Sequence, residues 1–115
     1  MTMFFAFAAA LPDDGRLDWG GDAAFNRPRE ALLPAVEIRE SGWAACWRRL
    51  DPAGEEGRVI DGAAVALKLE AGTLRSLIGE LFGHSRAETS ARADYYALAD
   101  AMGPDERIAL IAYEV

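Results

Sequence analysis

A chain of 115 residues with nineteen Asp and Glu against twelve Lys and Arg, a formal net charge of −7, has the size of one compact domain, which we place at residues 1–115. The negative charge opposes direct nucleic-acid binding, because a phosphate backbone must be met by cations, and no segment approaches the roughly 18 to 20 consecutive apolar residues of a membrane helix. A single cysteine, Cys46, excludes an internal disulfide, and the apolar start lacks a basic leader, so the expected location is the cytoplasm.

The first predicted element is an apolar strand over Met3 to Leu11. Almost no polar residue interrupts either face, which is typical of a strand covered on both sides, so we expect it in the centre of a sheet. The run Pro12-Asp13-Asp14-Gly15 has the chemistry of a turn. The alternation in Arg16-Leu17-Asp18-Trp19 then predicts a hairpin that ends at Gly20-Gly21.

A short helix and a second strand are predicted between residues 26 and 39. Asn26 can cap a helix over Arg27 to Leu33, and Pro34 is expected to end it. From residue 36 the apolar period drops to two, which predicts a strand over residues 36–39.

The segment from Trp43 to Leu50 fits two structures. After a turn at Ser41-Gly42 it can return as the second strand of a hairpin, but Trp43, Cys46, Trp47 and Leu50 also fit one face of a helix. We favour the strand, because aromatic residues suit a half-buried pleated surface and the preceding segment supplies a hairpin partner. Residues 51–57 then form a polar loop.

A strand and a helix follow this loop. Val65, Leu67 and Leu69 occupy alternate positions, which predicts a strand that ends at Ala71-Gly72. Thr73 can cap a helix, and Gly83 is expected to close it in a left-handed conformation. The inward apolar residues of this helix are Leu74, Leu77, Ile78, Leu81 and Phe82.

The best-bounded element is a helix from Arg86 to Met102, with a capping box at its start, Ser85-Arg86-Ala87-Glu88, and a stop signal at Gly103-Pro104. Its inward stripe consists of Ala91, Tyr95, Leu98 and Met102. The last segment, Ile108 to Val115, is apolar on both faces apart from Glu114 and is expected to be a buried strand. The pattern predicts an α+β domain: a mainly antiparallel sheet with two or three helices packed on one face, and the first and last strands central.

The groups that usually carry catalysis are scarce, with one His and one Cys in the chain. His84 lies between a helix end and a helix cap, where we expect an ordinary exposed histidine, and Ser85 beside it is better explained as a cap than as a nucleophile. Cys46 lies between two tryptophans and has no base near it in sequence, so we expect buried apolar filler. We therefore assign no catalytic residue and expect no enzyme.

No cofactor or metal site is expected either. Four aspartates cluster near glycines, but they lack the ligand spacing of a calcium loop, and one His with one Cys offers no zinc pattern. These aspartates are Asp13, Asp14, Asp18 and Asp22. The glycine patterns of nucleotide-binding loops are absent.

What remains is recognition at the surface. The loop after residue 50 holds Asp51, Glu55 and Glu56 and follows Trp47, and aromatic residues rimmed by charge are typical of interface hot spots. Tyr96 is a second candidate, because it lies off the inward stripe that holds Tyr95. We take Trp47, Asp51, Glu55, Glu56 and Tyr96 as the expected partner-binding residues.

These observations favour a small acidic non-enzymatic binding protein. Surplus carboxylates steer association with a cationic target, as expected of an inhibitor, an immunity-type protein or an adaptor that binds a basic protein surface. The alternative is a self-associating structural or regulatory subunit without catalytic activity, which would cover its apolar strands with another copy.

Overall fold

One sheet and three helices make up the residues that the computed structural model describes, 2–11, 31–60 and 64–115. The five strands are β1 Phe4–Ala10, β2 Ala31–Ile38, β3 Gly57–Val59, β4 Ala64–Glu70 and β5 Arg107–Glu114. The helices are α1 Glu40–Trp47, α2 Ala71–Leu81 and α3 Arg86–Ala101. The strand order is β2-β1-β5-β4-β3, and every neighbouring pair is antiparallel. The predicted α+β class is confirmed.

The first and last strands lie in the middle of the sheet, as predicted. β5 pairs with β1 on one side and β4 on the other, and β1 continues to β2. Successive residues of β5 point to opposite faces, yet Leu110 and Ile111 are both fully buried. A strand covered on both faces has no reason to alternate in polarity, which is why the unbroken apolar runs predicted these positions correctly.

The helices cover one face of the sheet and form the main core there. Alternate residues of the sheet, among them Ala8, Leu67 and Leu110, pack under the buried stripes of α2 and α3. Those stripes contain Leu74, Leu77, Ile78 and Leu81 from α2, and Ala91, Tyr95 and Ala99 from α3. The opposite face also holds buried residues, a smaller cluster of Ala9, Ala66, Ala109 and Ile111.

The segment predicted as a strand from Trp43 to Leu50 is a helix, α1, so the expected hairpin with residues 36–39 is wrong. Both periods place Trp43 and Trp47 on one side, because they are four apart, so the aromatic pair could not discriminate. The deciding contacts are tertiary. Gly42 and Cys46 are buried at helical spacing, and Trp43 stacks on Phe4 of β1 with ring centroids 5.2 Å apart.

The predicted helix over residues 27–33 is also wrong in the part that is described, because β2 already begins at Ala31 and runs through Pro34. Proline removes a backbone donor, and sheets accept it at edge strands and bulges. Pro34 meets both requirements. Within the described chain β2 is an edge strand with β1 as its one strand neighbour, and the shift of the β1–β2 register between Ala6 and Ala8 marks a bulge. Residues 27–30 and the predicted hairpin of residues 12–21 lie outside the described residues.

The later elements agree with the predictions except in detail. α3 begins at Arg86, and the Ser85 hydroxyl accepts the Glu88 N–H at 3.2 Å, as the capping box requires. α2 begins at Ala71, before the predicted cap at Thr73. The left-handed Gly83 is wrong: in the described residues the one positive φ is that of Gly54, at 68°. The short edge strand β3 was missed.

Candidate functional site

The acidic loop, residues 51–57, is organised by its own first residue. The Asp51 carboxylate accepts the backbone N–H groups of Glu55, Glu56 and Gly57 at 3.2, 3.0 and 2.9 Å. Gly54 takes a positive φ in the same turn, and its N–H donates to the Asp51 carbonyl at 3.0 Å. The hydrogen bond from Gly57, followed by those from the other loop amides, lowers the pKa of the Asp51 carboxyl. The Asp51 carboxylate therefore holds the conformation of the loop through these hydrogen bonds and is less available for an ion pair with a partner.

The two glutamates of the loop are held differently. Arg107 of β5 donates from Nη1 to both Glu56 carboxylate oxygens, at 2.8 and 3.0 Å. The Glu56 carbonyl accepts the Lys68 N–H at 2.8 Å and ties the loop to β4. Glu55 is exposed and its carboxylate has no ion pair with any described residue. Of the three acids predicted here, Glu55 is the one with an uncommitted charge.

Trp47 ends α1 and lies four residues before the loop. It is 36% exposed and packs edge-on against Trp43, with ring centroids 5.6 Å apart. Arg48, the next residue, donates to the Glu80 carboxylate at 3.0 Å and so links the end of α1 to α2. The indole of Trp47 is therefore an exposed ring at a helix end that contacts α2 through the Arg48–Glu80 ion pair. The acidic loop begins four residues after this ring, and a joint role for the two remains a prediction.

Tyr96 belongs to a different part of the surface. It is 38% exposed on α3, and Arg75 joins α2 to α3 through its ion pair with Asp100 at 2.6 Å. α2 packs against α1 and against α3, so it stands between the helix that carries Trp47 and the helix that carries Tyr96. The predicted set thus divides into two surfaces.

A groove of about 310 Å³ next to the acidic loop has a mixed charge that the sequence did not reveal. Its cations come from the end of α1, from β4 and from the start of β5, namely Arg48, Arg49, Lys68 and Arg107. Glu56 and Glu70 also line it. These residues are scattered along the chain, and only the folded sheet end collects them, so no local pattern could have indicated the groove. The surface near Trp47 is accordingly not uniformly acidic.

A second groove, the β2–α3 groove, lies between the edge strand and the start of α3 and has a volume of about 420 Å³. Its apolar lining is small: Val36 and Ile38 from β2, and Ala87 and Ala91 from α3. Glu37, Arg39, Ser85 and Glu88 complete it. The alternation over residues 36–39 was the sequence signal for this strand, but its helical neighbour is about 50 residues further along the chain.

The lone cysteine and histidine lie in settings that explain them structurally. Cys46 is fully buried in the core, and burial raises the pKa of its thiol to about 12. This is the apolar filler expected from the sequence. His84 is exposed, and its Nδ1 lies 2.8 Å from Nη1 of Arg92, which also donates to the Gly83 carbonyl.

Within the described ranges, no three or more His, Cys, Asp or Glu side chains are grouped as a metal site. Asp13, Asp14, Asp18 and Asp22 lie outside those ranges. No helix of the described parts has the length and apolarity to cross a membrane. Comparison with protein-family models, curated proteins and solved structures finds no match for this chain. The surfaces described above are therefore the basis for inferring a function.

Proposed function

We propose that this protein is a small acidic binding protein without catalytic activity of its own, an inhibitor, immunity-type or adaptor protein that binds a basic surface of another protein. The observations that carry the proposal are the exposure of Trp47, which packs on Trp43, and the exposed Glu55 carboxylate, which has no ion pair with a described residue, in the loop that begins four residues after Trp47.

The tryptophan supplies the kind of anchor that dominates protein interfaces. A large ring already packed on Trp43 loses little conformational freedom when a partner covers it, so more of the burial energy appears as affinity. The ion pair between Arg48 and Glu80 links the end of α1, where Trp47 lies, to α2. This arrangement supports a preformed contact rather than one that must be ordered during binding.

The charge supplies steering. The chain carries a net charge of −7, and exposed carboxylates without ion pairs to described residues include Glu37 and Glu40 as well as Glu55. Such a field accelerates encounter with a cationic surface and is screened by salt. The Arg107–Glu56 pair and the cations of the neighbouring groove limit the acidic contact to the Glu55 side of the loop.

The test is affinity capture from the native host with wild-type and Trp47→Ala baits, followed by kinetics with the captured protein after purification. We expect a basic partner whose association slows as salt rises, and an affinity loss of about tenfold or more for Trp47→Ala. Glu55→Gln should slow association at low salt more than Glu114→Gln does. Glu114 is a matched control because it lies at the other end of β5 from Arg107.

Two results would overturn the proposal. Capture that returns only copies of this chain, with light scattering showing an oligomer, would establish the self-associating subunit instead. A partner whose association rate is the same at low and high salt would remove the role assigned to the acidic surface.

A further inference from the structure

The edge of β2 offers main-chain groups whose direction follows from the hydrogen-bond register. The Met3 N–H donates to the Val115 carbonyl at 3.2 Å, and the Val115 N–H donates to the Met3 carbonyl at 2.9 Å. The N–H and carbonyl groups of Met3 are therefore directed toward β5. Main-chain direction alternates along a strand, so the next residue, Phe4, points toward β2. Phe4 pairs with Ile38, and Ala6 pairs with Val36. The N–H and carbonyl groups of Ile38 and Val36 are therefore directed toward β1.

Glu37, between them, therefore points its N–H and carbonyl away from the sheet. Arg39 confirms the direction, because it has the same parity and its N–H donates outward to the Leu81 carbonyl of α2 at 3.0 Å. No backbone hydrogen bond to Glu37 from another described segment is present on this outer side. Among the described residues, the edge is closed by α2 at Arg39 and open at Glu37. An open donor and acceptor pair on an edge strand is a template for one more strand.

The β2–α3 groove lies beside this open pair. In an added antiparallel strand, the residue opposite Glu37 shares its face, while the two flanking residues point to the other face, where Val36 and Ile38 lie. The small side chains of Ala87 and Ala91 leave the groove room for apolar groups there. An edge strand flanked by a helix is a geometry that binds extended peptides by strand addition.

Charge decides between a second copy and a different protein. Two copies of β2 pairing on this open position around a two-fold axis would place one Glu37 directly opposite the other, and like charges opposite each other destabilise a strand pair. Lys or Arg at that position would instead face the Glu37 carboxylate, which is exposed and has no ion pair with a described residue. The occupant that fits is an extended segment with the order apolar, basic, apolar.

We propose that the β2 edge at Glu37 and the β2–α3 groove bind such an extended apolar-basic-apolar segment of a partner protein by strand addition. This inference rests on the proposed function, because it uses the proposal that the partner protein has a basic surface. It assigns a contact separate from Trp47 and the acidic loop.

The experiment is an amide NMR titration of the full chain with the capped peptide Val-Lys-Val-Thr-Ser, whose first Val would lie opposite Ile38 and which therefore stops short of Arg39, where α2 closes the edge. We expect saturable shifts at Val36, Glu37, Ile38, Ala87 and Ala91 at peptide concentrations up to about 1 mM. A peptide that is N-methylated on Lys loses one bond to Glu37 and should bind about five- to tenfold more weakly. Absence of shifts at these amides, or equal binding of the methylated peptide, overturns the proposal.

Variants separate the main-chain contact from the charge. Glu37→Pro removes an N–H that makes no hydrogen bond to a described segment, and edge strands accept proline, so the fold should persist. Peptide affinity should fall about tenfold or more below that of Glu37→Gln, which keeps the N–H. Glu37→Lys should favour a peptide with Glu in place of Lys, and the matched charge reversal Glu40→Lys should leave the preference unchanged. If Glu37→Pro binds as tightly as Glu37→Gln, the strand-addition geometry is wrong.

The outcome is distinguishable from that of the proposed function. Trp47→Ala should leave peptide binding unchanged, because Trp47 lies in α1 and is not among the residues that line the β2–α3 groove. Loss of the peptide contact with intact Trp47-dependent capture overturns the strand proposal alone. If the peptide binds but no partner with salt-dependent association is found, the role assigned to the acidic loop is wrong, whereas the proposal for the β2–α3 groove still stands.

Discussion

Replacing Gly42 by alanine tests the packing of α1 on α2, the feature in which the structure departs most from the sequence pattern. A Cβ at Gly42 would lie 2.7 Å from the Leu81 Cα and 2.8 Å from the Glu80 carbonyl oxygen. Both are backbone atoms of α2, so no side-chain rotation relieves the overlap. Carbon atoms pack at about 3.5 to 4.0 Å, so the two helices must separate by about 1 Å.

The sign of the effect follows from two opposing terms. Alanine gains up to about 1 kcal/mol over glycine in a helix interior, whereas forcing extra volume into a packed contact costs typically about 1–3 kcal/mol and occasionally more. Separation also strains the Arg48–Glu80 ion pair and the bond from the Ser41 hydroxyl to the Glu80 carbonyl. We expect a net loss of about 1–3 kcal/mol in the free energy of unfolding. For a chain of this length that lowers Tm by roughly 4–12 °C.

Gly79→Ala is the matched control. Gly79 lies in α2, but a Cβ added there would meet no atom within 4 Å, so the same substitution should raise the free energy of unfolding by about 0.5–1 kcal/mol. Urea denaturation and thermal melts followed by circular dichroism measure both variants. If Gly42→Ala proves as stable as Gly79→Ala, the close α1–α2 contact is wrong.

Three further outcomes are expected. The Tyr95 hydroxyl is buried without a hydrogen-bond partner among the described residues, so Tyr95→Phe should raise the free energy of unfolding by about 1 kcal/mol; a loss of that size in urea denaturation would reveal a bond to the hydroxyl. The folded pKa of Asp51 is lowered, so its stabilisation is present above the unfolded pKa of about 4 and is lost as pH falls through the folded value. Asp51→Asn should therefore flatten the fall in Tm between roughly pH 5 and pH 3, and an unchanged profile would contradict the loop geometry. Burial raises the pKa of Cys46 to about 12, so its thiol should react with a disulfide reagent only after unfolding; labelling of the native protein at the rate of the unfolded chain would show an accessible thiol.

Local patterns predicted the parts of the fold whose signals are local. The capping box at Ser85 needs only residues within one turn, and the Ser85 hydroxyl accepts the Glu88 N–H as predicted. The acidic loop is likewise organised by a bond network within seven residues, which starts at Asp51.

The elements that were predicted wrongly depend on distant residues. Trp43 and Trp47 fit a strand and a helix equally well, and the contact of Gly42 with α2, 39 residues away at Leu81, favours the helix. Pro34 breaks helices and central strands alike, and only its place at the bulged edge of the sheet makes a strand possible there.

The sequence by itself determined the class of this domain, its two central strands and its acidity, because unbroken apolar runs and net charge do not depend on how the chain is arranged. Only the tertiary structure decided which charges remain available. Arg107 neutralises Glu56 from 51 residues away, four scattered cations meet in one groove, and the strand register turns the main chain of Glu37 outward. Charge pairing and strand edges are set by contacts between distant segments, and no periodicity along the chain records them.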